Sequence, residues 1–277
     1  MSRVWLNGQL VPVDEARVAV SDRGFTLGDG LFETMRAYGG RIFRLGRHIR
    51  RLEDSAERIG LALPDGLAGA VRRTLLANGM AEAAVRLTVS RGPAGLGLTA
   101  PGSAQPTCAI VVWPVPAPPA ELRVGLASGR LNERAPTAGL KRLGYLDSIL
   151  ALGEARAAGH DEALFLDTAG HLAEATASNL FVVAGGALRT PPLDCGVLPG
   201  ITRATVLEIA GSLDLPASED VLAPEVLETA EEAFLTSSLR EVVPVVAVEG
   251  RRIGEGVPGP ITRRVQEAYT ERVRSGE

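Results

Sequence analysis

The sequence predicts an α+β (mixed α/β) fold in two domains. Strand-like segments with period-two alternation occur in both halves of the chain, mixed with amphipathic helical segments and without the strict alternation of a doubly wound sheet. A stiff, proline-dense stretch, Pro114-Val115-Pro116-Ala117-Pro118-Pro119-Ala120, interrupts the chain. The length of 277 residues suits about two domains. The expected division is a small N-terminal α/β domain over 1–115, a linker over 116–121 and a larger C-terminal domain over 122–277.

The elements follow in order. Val4-Trp5-Leu6, Asn7-Gly8 and Gln9 to Val13 read as a hairpin, because Asn-Gly supplies the positive φ angles of a two-residue turn. Residues 16–20 read as a short strand and residues 22–30 as a glycine-rich loop opening into a strand over 31–38. Gly39-Gly40 turns the chain. Leu45, Ile49, Leu52, Ala56 and Ile59 recur at three and four, predicting a helix over 45–61. A second helix is expected over 65–78, then strands over 84–91 and 107–112. In the second half, strands are expected at 122–126, 162–167, 179–184, 233–237 and 242–248. Helices are expected at 145–158, from 202 to 213 and at 259–273. The first of these carries Leu146, Ile149, Leu150 and Gly153 on one face.

Composition removes several function classes. Hydrophobic content is 45% and charged content 22%, which suits a globular core. A net charge of −4 argues against a general electrostatic grip on nucleic acid or an anionic membrane. The uncharged stretch 92–120 is broken by Pro and Gly and is no membrane span, and the N-terminus lacks a signal-peptide run. Cys108 and Cys195 do not make a disulfide framework, so a reducing, cytoplasmic location is expected. His48, His160 and His171 have no metal-ligand spacing, so no metal is expected.

One count stands out. The 29 cationic residues are 28 arginines and a single lysine, Lys141. Either Lys141 is a chance leftover, or it does what a guanidinium cannot: lose its proton and attack a carbonyl. It lies in Gly139-Leu140-Lys141-Arg142-Leu143-Gly144-Tyr145, with Tyr145 four residues on, on the same side if a helix has begun. Glu174 precedes small polar residues and an apolar strand; alone it reads as an ordinary turn glutamate. Leu198-Pro199-Gly200-Ile201-Thr202-Arg203 opens a helix, where a plain cap by Thr202 and an anion site use the same groups. Ser237 and Ser238 end a strand, and Arg51 on the first long helix has the fork that suits a phosphate.

Together these segments resemble the class IV (fold type IV) pyridoxal-phosphate enzymes, the group of branched-chain aminotransferases, D-amino-acid aminotransferases and aminodeoxychorismate lyases. The likeness spans nearly the whole chain. It rests on Trp5-Leu6-Asn7-Gly8, Gly28-Asp29-Gly30-Leu31-Phe32-Glu33, His48-Ile49-Arg50-Arg51-Leu52, Lys141 with Tyr145-Leu146, Glu174 with Ser178-Asn179-Leu180-Phe181, and Leu198 to Arg203. The resemblance implies pyridoxal 5'-phosphate as cofactor and a C-terminal domain with a mixed sheet or barrel. It implies that Lys141 carries the cofactor as a Schiff base and shuttles the α-proton. Glu174 would pair with the pyridine nitrogen and Tyr145 with the ring hydroxyl. Arg51, Ile201, Thr202, Ser237 and Ser238 would hold the phosphate, with Ser178 and Asn179 also at the cofactor. Leu27, Phe32, Arg36, Arg91 and Thr176 are the expected substrate contacts, with either arginine open to a structural role instead.

The reaction expected is transamination, ping-pong through pyridoxamine phosphate, from an amino acid to a 2-oxo acid within a homodimer. Leu27 stands where branched-chain enzymes typically carry a tyrosine, which counts against a typical branched-chain pocket, and Phe32-Glu33-Thr34-Met35-Arg36 is similar to lyase-type and some D-amino-acid enzymes; a D-amino acid or simple amine is the expected donor. Aminodeoxychorismate lyase is the alternative; a branched-chain enzyme or a non-catalytic cofactor-binding relative is ranked lower.

Overall fold

The computed structural model describes residues 2–99 and 105–276. Residues 92–102, which the sequence predicts to form a loop near the site that sets substrate choice, therefore lie partly outside the described residues. The chain divides into two compact units. The first comprises Met1–Pro116, Leu140–Gly144 and Gly276–Glu277; the second comprises Ala117–Gly139 and Tyr145–Ser275.

The first unit is built on a six-stranded antiparallel sheet. Its strands are β1 (Arg3–Leu6), β2 (Gln9–Pro12), β3 (Gly30–Tyr38), β4 (Arg41–Ile42), β5 (Ala83–Ser90) and β6 (Thr107–Trp113), in the order β2-β1-β6-β5-β3-β4. Asn7 and Gly8 take φ of 48° and 97°, the turn that Asn-Gly predicts. Three helices accompany the sheet: α1 (Arg23–Leu27), α2 (Leu45–Arg58) and α3 (Leu67–Asn78). On β3 and β5 one set of alternating side chains, including Leu31, Met35, Ala37, Val85, Leu87 and Val89, meets Leu52, Ala56, Val71 and Leu75 of α2 and α3.

Two expectations change here. Residues 16–20 form no strand: the segment is mostly exposed and finds no partner strand. The glycine-rich loop contains α1, because Asp22 caps it by accepting from the Gly24 N–H at 2.8 Å and Gly28 closes it at φ 68°.

The second unit contains a nine-stranded sheet. Its strands are β7 (Leu122–Leu131), β8 (Glu162–Asp167), β9 (Leu172–Ala175), β10 (Asn179–Ala184), β11 (Ala187–Thr190), β12 (Ala217–Glu219), β13 (Glu232–Ser237), β14 (Glu241–Val248) and β15 (Arg251–Arg252). The main path runs β12-β11-β10-β13-β14-β7-β8-β9, and β9 also pairs with β10. That extra pairing, Asn179 opposite Glu174, closes the central strands into a barrel. The parallel pair β7 and β8 needs a crossover, supplied by α4 (Leu146–Ala157). The remaining helices are α5 (Ile201–Ser212), α6 (Val226–Thr229) and α7 (Pro260–Ser275). The core joins Leu164, Leu172, Leu180, Val182, Leu235 and Val243.

On α4 the face that carries Leu146, Ile149 and Leu150 is the exposed one. Ala151 and Ala155 are the buried residues, packed with Ala127, Ala163 and Phe165, whereas Leu146, Ile149 and Leu150 are 64%, 62% and 56% exposed. Small side chains let the helix sit close to β7 and β8. A second difference concerns 140–144, expected within the C-terminal domain. The Leu140 side chain joins the first core, and two backbone hydrogen bonds tie this segment to β3. Among the described residues no helix is long and apolar enough to cross a membrane, and no cluster of His, Cys, Asp or Glu could hold a metal ion.

Candidate active site

Lys141 sits on a short strand-like addition to the start of β3. The Phe32 N–H donates to the Lys141 carbonyl at 2.9 Å, and the Leu143 N–H donates to the Gly30 carbonyl at 3.0 Å. Gly30 is required for this approach. A Cβ there would lie 2.5 Å from the Val89 carbonyl oxygen and 2.8 Å from Leu143. Lys141 Nζ stands 4.5 Å from the centroid of the Phe32 ring, and the Arg86 guanidinium carbon stands 3.6 Å from the same centroid. One buried aromatic ring thus holds an amine and a guanidinium together, each drawn to its negative face.

Behind β3 lies a buried charged cluster. Arg51 donates through Nε and Nη2 to the two oxygens of Glu33, at 2.8 and 2.6 Å, in a bidentate pair. Glu33 Oε2 also lies 2.7 Å from His48 Nδ1. Burial would raise the Glu33 pKa, but the adjoining Arg51 charge and the His48 hydrogen bond outweigh it and bring it down to about 2. Burial keeps His48 below its ordinary range, so it is neutral and donates to the Glu33 carboxylate. The α2 helix thereby presents Arg51 with a fixed guanidinium orientation.

The second unit gathers its polar groups where the barrel closes. Glu174 on β9 pairs with Asn179 on β10, and Asn179 pairs in turn with Thr236 on β13, making one row across three strands. Glu174 Oε2 accepts from Asn179 Nδ2 at 2.9 Å and from the Leu198 N–H at 3.0 Å. Asn179 Nδ2 also donates to the Leu198 carbonyl at 2.9 Å. These bonds fix the carboxylate and hold the Leu198–Gly200 turn against β10. A Cβ on Gly200 would collide with Asn179 Oδ1. Gly200 is the N-cap of α5 and supplies no side chain, so no side-chain cap covers the first N–H groups, those of Ile201 and Thr202. Thr202 is therefore inside the helix and is not its cap. The Ser178 Oγ and Thr236 Oγ1 hydroxyls are buried with no hydrogen-bond partner in the protein.

This donor set fits an aromatic phosphate ester. A fixed carboxylate suits a protonated ring nitrogen, an uncapped helix N-terminus suits a phosphate, and two unsatisfied hydroxyls adjoin the row. Ser237 and Ser238 stand at the end of β13 and in the turn that follows, both partly buried.

Other expected residues are placed differently. Arg91 cannot serve a substrate carboxylate as it stands. Its Nε donates to Asp29 at 2.9 Å, Nη1 to the Gly60 carbonyl at 2.6 Å and Nη2 to the Ile59 carbonyl at 2.9 Å. Arg36 lies over the Tyr38 ring at 4.6 Å. The Thr176 hydroxyl donates to the buried Glu162 carboxylate, a structural engagement rather than an open substrate contact. Leu27 is an exposed residue at the end of α1. Tyr145 precedes the first turn of α4, so 141–145 is not helical and the four-residue spacing places no shared helix face. The sequence reading missed Arg86, Glu33 and His48. A period-two reading signals Arg86: it lies opposite Thr34, two residues from Phe32 on β3.

The barrel unit carries a fixed carboxylate, an uncapped helix N-terminus and two buried hydroxyls, and the antiparallel-sheet unit carries the chain's single lysine. The family "Amino-transferase class IV" matches residues 30–248, and the chain belongs to it. A putative branched-chain-amino-acid aminotransferase of Methanocaldococcus jannaschii is 36% identical over 275 residues, covering 97% of this chain and 96% of that protein. The crystal structure of the branched-chain aminotransferase of Thermoproteus uzoniensis with norvaline superposes at a TM-score of 0.94, with 36% identity, over 100% of this chain and 96% of that one. A putative 4-amino-4-deoxychorismate lyase of Legionella pneumophila superposes at 0.87 with 27% identity, over 93% of this chain and 96% of that one. The chain is a pyridoxal-phosphate transaminase, and a solved structure of the same fold contains pyridoxamine 5'-phosphate.

Proposed function

We propose that this transaminase takes branched-chain and related aliphatic amino acids as donors and a 2-oxo acid as acceptor. The observation that carries this is the near full-length similarity to branched-chain aminotransferases at 36% identity. It displaces the expectation of a D-amino acid or simple amine donor, which rested on Leu27 and the Phe32 to Arg36 segment.

When bound, pyridoxal phosphate supplies an electron sink conjugated to the donor's nitrogen. The chain's residues do the rest. Lys141 would hold the cofactor through its amine, the aldehyde oxygen leaving as water, and would move the α-proton as a general base. Glu174, held by Asn179 and the Leu198 N–H, would keep the ring nitrogen protonated. Tyr145 would donate to the ring hydroxyl. Arg51, the N–H groups of Ile201 and Thr202, and Ser237 with Ser238 would hold the phosphate. Arg86, on the Phe32 ring, takes a substrate carboxylate in place of Arg91. The working form is a homodimer, supported by the exposed apolar stripe Leu146, Ile149 and Leu150 on α4.

The test is the cofactor's visible band during titration with single donors. L-Leucine and L-valine should bleach it, while D-alanine and (R)-1-phenylethylamine leave it. Lys141→Ala should lower turnover by about 10³-fold or more. Bleaching only by D-alanine would refute the donor assignment. Persistence of the band with every donor, with pyruvate released from aminodeoxychorismate, would instead establish the lyase.

A further inference from the structure

A second buried charged cluster lies in the barrel unit, apart from the row of Glu174, Asn179 and Thr236. Glu162, at the start of β8, has a fully buried side chain. Its Oε1 accepts from the Thr176 hydroxyl and from the Ala163 N–H at 3.1 Å, and its Oε2 accepts from Arg240 Nη1 at 2.7 Å. Arg240 is 30% exposed and lies in the turn between β13 and β14. Its N–H donates to Ser237 Oγ at 3.3 Å. That turn is strained. Ser237 pairs with Glu241, and Glu241 has φ of 61°, a conformation that a residue with a side chain adopts at a cost.

The two arms of Glu162 reach two functional segments. Thr176 lies two residues beyond Glu174, and the Thr176 N–H donates to the Ala163 carbonyl at 3.2 Å. Arg240 lies two residues beyond Ser238. We propose that Thr176, Glu162 and Arg240 are positioning residues that set the separation between the carboxylate facing the cofactor ring and the serine turn gripping its phosphate. The proposal rests on the cofactor reading given above. Glu162 acts as a strut inside the barrel, and its pull on Arg240 holds the strained turn in its phosphate-binding shape. A charge-assisted bond to a buried carboxylate is strong enough for that role. The Arg240 contact uses one nitrogen, so a lysine ammonium can reproduce it.

The strut predicts a phosphate-specific defect. The full-length protein is stripped of cofactor and titrated separately with pyridoxal phosphate and with pyridoxal, which lacks the phosphate. Arg240→Met should raise the Kd for pyridoxal phosphate about tenfold, while the Kd for pyridoxal moves less than about twofold. Arg240→Lys should bind both as the wild type does. Arg240→Met leaves Glu162 buried and unpaired, so the double variant Glu162→Gln/Arg240→Met is measured beside it. Removing both charges spares stability but not the strut. The double variant should fold and keep the phosphate-specific defect. An unchanged Kd in the double variant, equal weakening toward both aldehydes, or failure of lysine to rescue would overturn the proposal. Wild-type protein that binds neither aldehyde would overturn the cofactor reading itself.

Discussion

Glu33 shows how much one buried side chain organises. It takes both donors of the Arg51 fork and the His48 ring nitrogen, and all three residues are buried on the helix-facing side of β3. Its depressed pKa makes the cluster a source of pH-dependent stability. The folded value of about 2 lies below the ordinary 4.5, so the contribution is complete above pH 4.5 and is lost as pH falls toward 2. Its size is about 3 kcal/mol. His48, also depressed, resists protonation when folded, so stability begins to fall as pH drops below 6.5. Urea unfolding of wild type and Glu33→Gln across pH 7 to 2.5 checks this. The wild-type advantage should hold near neutrality and shrink below pH 4.5; an advantage unchanged down to pH 2.5 would contradict it.

At the scale of elements, α4 and α5 do opposite things with their surfaces. The α5 helix buries Ile201, Thr205, Val206 and Ile209 and leaves its first N–H groups uncapped, which is what an anion needs. The α4 helix buries alanines and turns Leu146, Ile149 and Leu150 outward. Its sequence is apolar on both sides, so periodicity alone could not choose the buried face; the close approach to β7 and β8 chose the small residues. If the stripe is covered by a second copy, Ile149→Asp with Leu150→Glu should convert a dimer into monomers, read by light scattering at micromolar concentration. A wild-type monomer, or a dimer that survives both changes, would place the contact elsewhere or remove it.

For the molecule as a whole, the two units have separate cores and each contains one cysteine. Cys108 belongs to the first core, and burial pushes its thiol up to about 12. Cys195 lies in the second unit, with its thiol pushed up to about 11 by burial and by the Asp167 charge. Both thiols are free and buried, and both are protonated near neutrality. Neither should react with a thiol reagent in the folded protein at pH 8. In rising urea, Cys195→Ser should report the opening of the first unit alone and Cys108→Ser that of the second. Two different midpoints would show independent opening; rapid reaction without denaturant would contradict the burial of the thiols.

Several features were readable from residues alone because they depend on local chemistry. Asn7-Gly8 dictates its hairpin turn, the apolar spacing over 45–61 dictates α2, and the isolation of Lys141 among 28 arginines flags a reactive amine. The motif series also identified the enzyme class. Other features depend on partners distant in sequence. The brief strand β9 has little pattern of its own and exists through its pairing with β8 and β10. Arg91 reads like a substrate anchor until Asp29, Ile59 and Gly60 are seen to take its donors. Arg86 carries no local signal of its own, and it is β3 and β5 that bring it to the Phe32 ring. Local sequence determines which conformations and chemistries a residue can support. Only strand register and packing decide which partner it meets, and the partner determines whether a charged side chain is spent on structure or remains available for function.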